Sequence, residues 1–105
     1  MTEIRIAPQA AGDLREIKQY IADDLCNEKA AIKTLSKITD GIKMLETFPE
    51  SGALLSDMVG FDTDYRYLVC GNYAVFYRYD GNAVFVDRIL YGRRNFMRIL
   101  FHLPE

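Results

Sequence analysis

Three short alternating segments, divided by tight turns, constrain the fold of this chain more than any other feature. Residues 65–70, 73–79 and 83–91 read YRYLVC, YAVFYRY and AVFVDRILY, and the dipeptide Gly-Asn and the tripeptide Asp-Gly-Asn separate them. Runs rich in Val, Tyr and Phe that are divided by two or three turn residues are typical of successive β-hairpins. We therefore predict a three-stranded antiparallel meander over residues 65–91.

The first half of the chain changes from strand to helix periodicity. Residues 3–7 alternate and are followed by Pro8, which predicts a short strand. An apolar stripe then predicts an amphipathic helix from Ala10 to near Cys26 and Asn27, with Leu14, Ile17, Ile21 and Leu25 on the stripe. A second stripe, from Ile32 to Phe48, predicts another helix that ends before Pro49.

Together these segments predict an α+β fold in one domain covering residues 1–105. Its parts are an N-terminal strand, a helical hairpin, the three-stranded antiparallel meander and a short C-terminal helix, from Asn95 to His102, capped by Asn95. We expect the hairpin to cover one sheet face and the other face to be left to arginines. The connection over residues 50–64 is rich in apolar residues, so we expect it to lie along the domain surface.

Composition excludes several classes of function. No apolar run approaches the roughly 18 residues that span a bilayer, and residues 1–10 lack the pattern of a signal peptide, so we expect a cytoplasmic protein without a membrane partner. The chain has a single histidine, no glycine-rich phosphate loop and no closely spaced cysteines. We therefore expect neither a metal site nor a cofactor.

Basic residues are distributed unevenly along a chain whose net charge is −2. The five lysines lie in the first half, where they alternate with acids and are interpreted as a solvated helical face. After residue 65 every basic residue except His102 is arginine. The arginine fork suits bidentate binding of carboxylate or phosphate and stacking on aromatic rings.

The candidate site is a group of arginines with nearby aromatic residues: Arg66, Arg78, Arg88, Tyr91, Arg93, Arg94 and Phe101. Such a group can hold an anionic or aromatic partner. The alternative is that the tyrosines favour strands and the arginines keep an exposed sheet face soluble. The residues alone leave both interpretations open.

Three stretches resemble the RelE/ParE superfamily of bacterial toxins from type II toxin–antitoxin, or plasmid stabilisation, systems. APQAAGDLREIKQYI is similar to the first helix of the family, and AAIKTLSKITDGIKMLETFPESG to the second helix and its exit. YRYLVCGNYAVFYRYDGNAVFVDRILYGRRNFMRIL is similar to the three strands and the basic tail. The resemblance implies a RelE/ParE-like fold, and a small, often acidic antitoxin partner whose C-terminal segment wraps the toxin.

The resemblance also implies one of two targets. The segment DLREIKQYI is closer to the ParE-like branch, whose members inhibit growth through DNA gyrase and cleave nothing, and we favour this branch. In it the arginine and aromatic group is a surface that binds the target or the antitoxin. The net negative charge also suits this branch better than tight binding to ribosomal RNA.

The alternative is a RelE-like mRNA interferase, a metal-independent endoribonuclease that cuts message on the ribosome. Arg66 and Arg94 would then be the catalytic residues. The chain departs from that pattern, because Ala74 stands where RelE-like toxins carry an arginine and Leu68 replaces a second basic residue. The position of the terminal tyrosine is filled by Leu100 or Phe101.

Overall fold

A mixed β-sheet forms the centre of the structure, a computed structural model that describes residues 1–92 and 95–103. Within these residues its strands are β1 (Glu3–Ile6), β2 (Ala53–Leu54), β3 (Tyr65–Cys70), β4 (Tyr73–Tyr79) and β5 (Ala83–Tyr91), in the spatial order β1-β5-β4-β3-β2. The predicted meander of β3, β4 and β5 is confirmed. The sheet is wider than predicted, because β1 pairs with β5 in parallel and β2 pairs with β3 antiparallel.

The helices are α1 (Pro8–Gln19), α2 (Glu28–Met44), α3 (Ser56–Val59) and α4 (Phe96–Phe101). Pro8 begins α1 because its fixed φ suits the first helical position. A π-helical turn over Tyr20–Asp24 extends α1, and the Asn27 side chain caps α2 by accepting from the Ala30 N–H at 3.0 Å. The predicted side-chain cap of α4 is wrong, because Asn95 has a left-handed backbone and makes no such bond. Among the described helices, none has both the length and the hydropathy required to cross a membrane.

The helical hairpin packs on one sheet face and encloses the larger core. Its buried residues include Ile17 of α1, Ile38 of α2 and Leu45 directly after it, and Tyr77 and Val84 of the sheet. The close approach of α2 to β3 depends on Gly41. A Cβ atom there would lie 2.6 Å from the sulfur of Cys70, well inside contact distance.

The second sheet face is covered by apolar residues, so the prediction that arginines occupy it is wrong. The buried residues Leu55, Ala74, Phe76 and Leu90 form a smaller core on this face. Phe96 of α4 stacks on Phe76, with ring centroids 5.7 Å apart. The physical reason is β4, which is apolar on both sides and must be covered on both.

The covering residues come from two places. Met58 and Val59 of α3 and Ile99, Leu100 and Phe101 of α4 pack against this smaller core. The connection over residues 50–64 therefore lies along the domain as predicted, but contributes β2, α3 and the buried Leu55.

Candidate partner-binding surface

Arg66 holds the chain segment that follows α2. One guanidinium nitrogen, Nη1, donates to the carbonyl oxygens of Glu50 at 3.0 Å and Gly52 at 2.9 Å. On the neighbouring strand the buried hydroxyl of Tyr77 donates to the Pro49 carbonyl at 3.0 Å and accepts from the Gly52 N–H at 2.8 Å. Arg66 therefore contributes to a structural clamp at the exit of α2.

Arg78 is engaged by Asp87 and by an aromatic ring. Its Nε lies 2.8 Å from Asp87 Oδ2 and its Nη2 lies 3.3 Å from Oδ1, while the guanidinium carbon lies 5.3 Å from the centroid of Phe85. The hydroxyl of Tyr65 also donates to Asp87 Oδ2, at 2.8 Å. Burial, together with the bond to this carboxylate, raises the pKa of Tyr65 to about 12.

Arg88 is paired with a buried acid on α1. A β-bulge at Asp87 breaks the pairing of β4 with β5, since Phe76 pairs with Arg88 while Tyr77 pairs with Val86. The Arg88 Nε and Nη2 donate to Asp13 Oδ2 and Oδ1 at 2.8 and 2.9 Å, and these bonds raise the pKa of Arg88. Asp13 Oδ2 also accepts from the backbone N–H of Ile89 at 2.9 Å.

Asp13 is a residue that sequence reasoning missed. It is only 8% exposed, and it lies on the buried side of α1 with Ala10 and Ile17. Asp13 lies three residues after Ala10 and four before Ile17, on the apolar stripe of the helix. This position could have identified it from the sequence, because a carboxylate that is buried with such a stripe requires a partner.

A groove of about 880 Å³ opens between α1 with its π-helical turn and the end of β5. We call it the tyrosine groove; its lining includes Tyr20, Leu25, Tyr73, Tyr91 and Ile99, with Asp13 and Arg88. Tyr20, Leu25 and Tyr91 are 51, 55 and 58% exposed, and Tyr91 packs edge-on against Tyr73 at 5.5 Å between centroids. This is an open, largely apolar surface with hydroxyl groups at its rim, a composition typical of protein interfaces.

The predicted site residues thus fall into separate places. Arg88 and Tyr91 share the tyrosine groove, whereas Arg66 lies at the exit of α2 and Arg78 beside Phe85. Phe101 packs edge-on against Phe61 and Tyr65, at 5.2 and 5.6 Å between centroids. Arg93 and Arg94 lie outside the described residues. Tyr91 and Asn95, which lie before and after them in the sequence, line the groove.

Comparison with known proteins agrees with this fold. The family described as "ParE toxin of type II toxin-antitoxin system, parDE" matches residues 4–96. A solved chain of the chromosomal ParDE TA system from P. aeruginosa superposes with a TM-score of 0.72 at 22% identity, covering 88% of this chain and 97% of that chain. No curated protein matches the sequence significantly. Because the family match extends from β1 into α4, the chain belongs to the ParE family of type II toxin–antitoxin toxins.

Proposed function

We propose that this toxin inhibits DNA gyrase in the cytoplasm by binding it, and that a cognate antitoxin silences it by covering the tyrosine groove. The observation that carries the first part is the engagement of Arg66, which bonds two backbone carbonyls of its own chain. A nuclease of the RelE type needs cations placed where charge develops on the scissile phosphate. Arg66 instead binds its own backbone, and this favours a toxin that works by binding over a nuclease.

The two positions that depart from the RelE-like pattern support the same conclusion. Ala74 is 2% exposed within the smaller core, and Leu68 packs against the larger one. A basic side chain at Ala74 would have to be buried without a partner, which is costly. The two packed cores therefore favour a toxin that works by binding.

The antitoxin part of the proposal is supported by the exposed residues of the tyrosine groove. Tyr20, Leu25 and Tyr91 leave apolar surface in water, and tyrosines in such positions often dominate binding energy. An apolar helix or strand of the antitoxin would bury this surface. Arg93 and Arg94 would then meet its acidic residues.

A supercoiling assay with purified protein tests the target. The wild-type chain at micromolar concentration should stop gyrase from supercoiling relaxed plasmid. Arg66→Ala is the matched variant. It removes the two hydrogen bonds that Arg66 donates to backbone carbonyls, and the protein should still inhibit gyrase if it remains folded. Unimpaired supercoiling in the presence of the folded wild-type chain would overturn the proposal.

A ribosome-dependent nuclease is the second candidate. The observation that favours it is the exposed Tyr91, which precedes Arg93 by two residues and Arg94 by three in the sequence. An exposed aromatic ring can stack a base of single-stranded RNA. Pulse labelling after induction separates the two candidates. If the protein inhibits gyrase, thymidine incorporation falls before methionine incorporation. If it is a nuclease, methionine incorporation falls first, and the double variant Arg66→Ala/Arg94→Ala no longer cleaves message.

A further inference from the structure

The arginines of the sheet are bonded within the chain, whereas the lysines of α2 are not. Each sheet arginine donates to a carboxylate or to backbone carbonyls of the same chain, as found for Arg5, Arg66, Arg78 and Arg88. Among the residues that the structure describes, no ion pair uses a lysine. The lysines therefore keep charges that can meet an anionic partner.

Three of these lysines form a row along α2, which we call the lysine row. Lys29, Lys33 and Lys37 recur every four residues and all are exposed, so they follow one side of the helix over about 12 Å. Residues 29–43 contain four lysines and one acid, Asp40, in a chain whose net charge is −2. Positive charge is therefore concentrated on the exposed side of this helix.

The lysine row borders the tyrosine groove. Ala30 and Thr34, each of which directly follows a lysine of the row, line that groove. A Cβ atom at Gly71 would lie 3.6 Å from Lys37 Cδ, so Lys37 lies beside the turn between β3 and β4. Asn72 of the same turn also lines the groove. An antitoxin that covers the groove would therefore also restrict access to the row.

The chemistry of the row suits a phosphate backbone. Lysine is a hydrated point charge on a flexible stem, which favours contact with successive phosphates over bidentate binding of one carboxylate. Duplex DNA carries one phosphate per about 3.4 Å of each strand, so the row extends over about three to four base steps. A membrane surface fits less well, because α2 buries Ala31, Ile38 and Ile42 in the larger core and cannot insert them into lipid.

We propose that the lysine row binds the phosphate backbone of duplex DNA while the toxin acts on gyrase. The proposal rests on the proposed function, because gyrase is what brings DNA to an acidic protein. About three phosphate contacts give weak affinity on their own, and the net charge of −2 opposes them. On a gyrase–DNA complex the same contacts become intramolecular, so the toxin binds more tightly to gyrase that holds DNA than to gyrase alone.

Fluorescence anisotropy of a short labelled duplex, titrated with the full-length chain, tests the row without gyrase. The logarithm of the association constant should fall against the logarithm of salt concentration with a slope of about −3, since each neutralised phosphate contributes about −0.9. Lys33→Gln/Lys37→Gln should reduce the slope to about −1 and weaken binding at low salt at least tenfold. Arg15→Gln/Lys18→Gln, which removes the same charge from exposed positions on α1, should retain the wild-type slope and affinity.

Binding to gyrase with and without DNA tests the role of the row in the action of the toxin. The wild type should bind the gyrase–DNA complex at least fivefold more tightly than DNA-free gyrase. Lys33→Gln/Lys37→Gln should bind both alike and should require at least fivefold more protein to stop supercoiling. A wild type that binds no gyrase would refute the proposed function, and the DNA titration alone would then decide whether the row binds DNA.

Three results overturn the proposal. They are equal DNA affinity of the wild type and Lys33→Gln/Lys37→Gln, an equal loss of affinity in the α1 variant, and binding of the wild type to phosphatidylserine vesicles but not to the duplex. Glutamine is a good helix former, so circular dichroism should show an unchanged fold in both variants. Lys33→Arg/Lys37→Arg keeps both charges and should bind DNA as the wild type does, so loss of binding in that folded variant also overturns the proposal.

Discussion

At the scale of the residue, Asp13 is the side chain whose loss has the clearest expected cost. Asp13→Asn replaces a carboxylate that accepts from Arg88 and from the Ile89 N–H, and leaves the cation partly buried without its partner. We expect unfolding free energy to fall by about 3 kcal/mol. Denaturant titration measures it, and Asp23→Asn, at an exposed position of the π-helical turn, is the control.

A double-mutant cycle with Arg88→Met checks that the ion pair is the cause. The second substitution should cost much less in the Asp13→Asn background than in the wild type, with a coupling energy of at least about 1 kcal/mol. Additive costs would show that the two residues act independently.

Tyr65 gives the protein a specific alkaline sensitivity. Its pKa is raised to about 12 in the folded chain, while the unfolded side chain titrates near 10. The folded state therefore retains a proton that the unfolded state releases, and stability declines as pH rises from about 10 to about 12. Because the side chain is partly exposed, we expect a loss of about 1 to 2 kcal/mol relative to Tyr65→Phe across that window. If the unfolding free energies of the wild type and of Tyr65→Phe changed in parallel between pH of about 10 and about 12, this prediction would be contradicted.

Some residue roles follow from the sequence and others do not. Asp87 lies within a run of strand residues, and the strand pattern alone predicts that it is a structural acid with a hydrogen-bond or ion-pair partner. Its bonds to Arg78 and Tyr65 confirm this prediction. The partner of Arg88 lies 75 residues away, on a helix. No local pattern identifies such a partner, and so Arg88 was predicted as a free cation of the binding surface.

At the scale of the element, two helical glycines should respond oppositely to the same substitution. Gly41→Ala places a methyl group 2.6 Å from the Cys70 sulfur, whereas the nearest atom to a methyl group at Gly12 is Arg15 Nη2 at 3.7 Å. We expect Gly41→Ala to destabilise by about 1 to 3 kcal/mol through overpacking. Gly12→Ala should stabilise by up to about 1 kcal/mol through helix propensity.

Thermal or denaturant unfolding of the two variants measures this difference. Adding Cys70→Ala to Gly41→Ala should recover part of the lost stability, because it removes the atom that the new methyl group meets. Equal effects of the two glycine substitutions would mean that α2 does not require its close approach to β3.

The elements that sequence reasoning missed share a physical cause. The stripe of the first helix placed Leu25 in the core, but the π-helical turn shifts the helical phase and leaves Leu25 55% exposed in the tyrosine groove. A two-residue strand such as β2 is too short to show an alternating pattern. The long meander and α2 were predictable because their periodic patterns are long enough to read.

At the scale of the whole molecule, the sheet separates two unequal cores. Fourteen buried residues of the described chain form the core under the hairpin, and four form the core under α3 and α4. We expect amide hydrogens of α4 to exchange through openings of lower free energy than those of α2 and β4. Phe96→Ala should accelerate exchange in α4 and leave α2 almost unchanged, and equal acceleration in both would indicate a single cooperative unit.

The parallel pairing of β1 with β5 has a consequence for how the toxin is made. Glu3 pairs with Ala83, so β1, which is synthesised before the other described strands, cannot pair until β5, the last of them, has been made. Contacts this distant in sequence form slowly, and the sheet that positions the tyrosine groove is incomplete until then. A nascent chain therefore carries no finished toxin surface, which leaves an interval of synthesis in which an antitoxin already present can meet the protein as it folds.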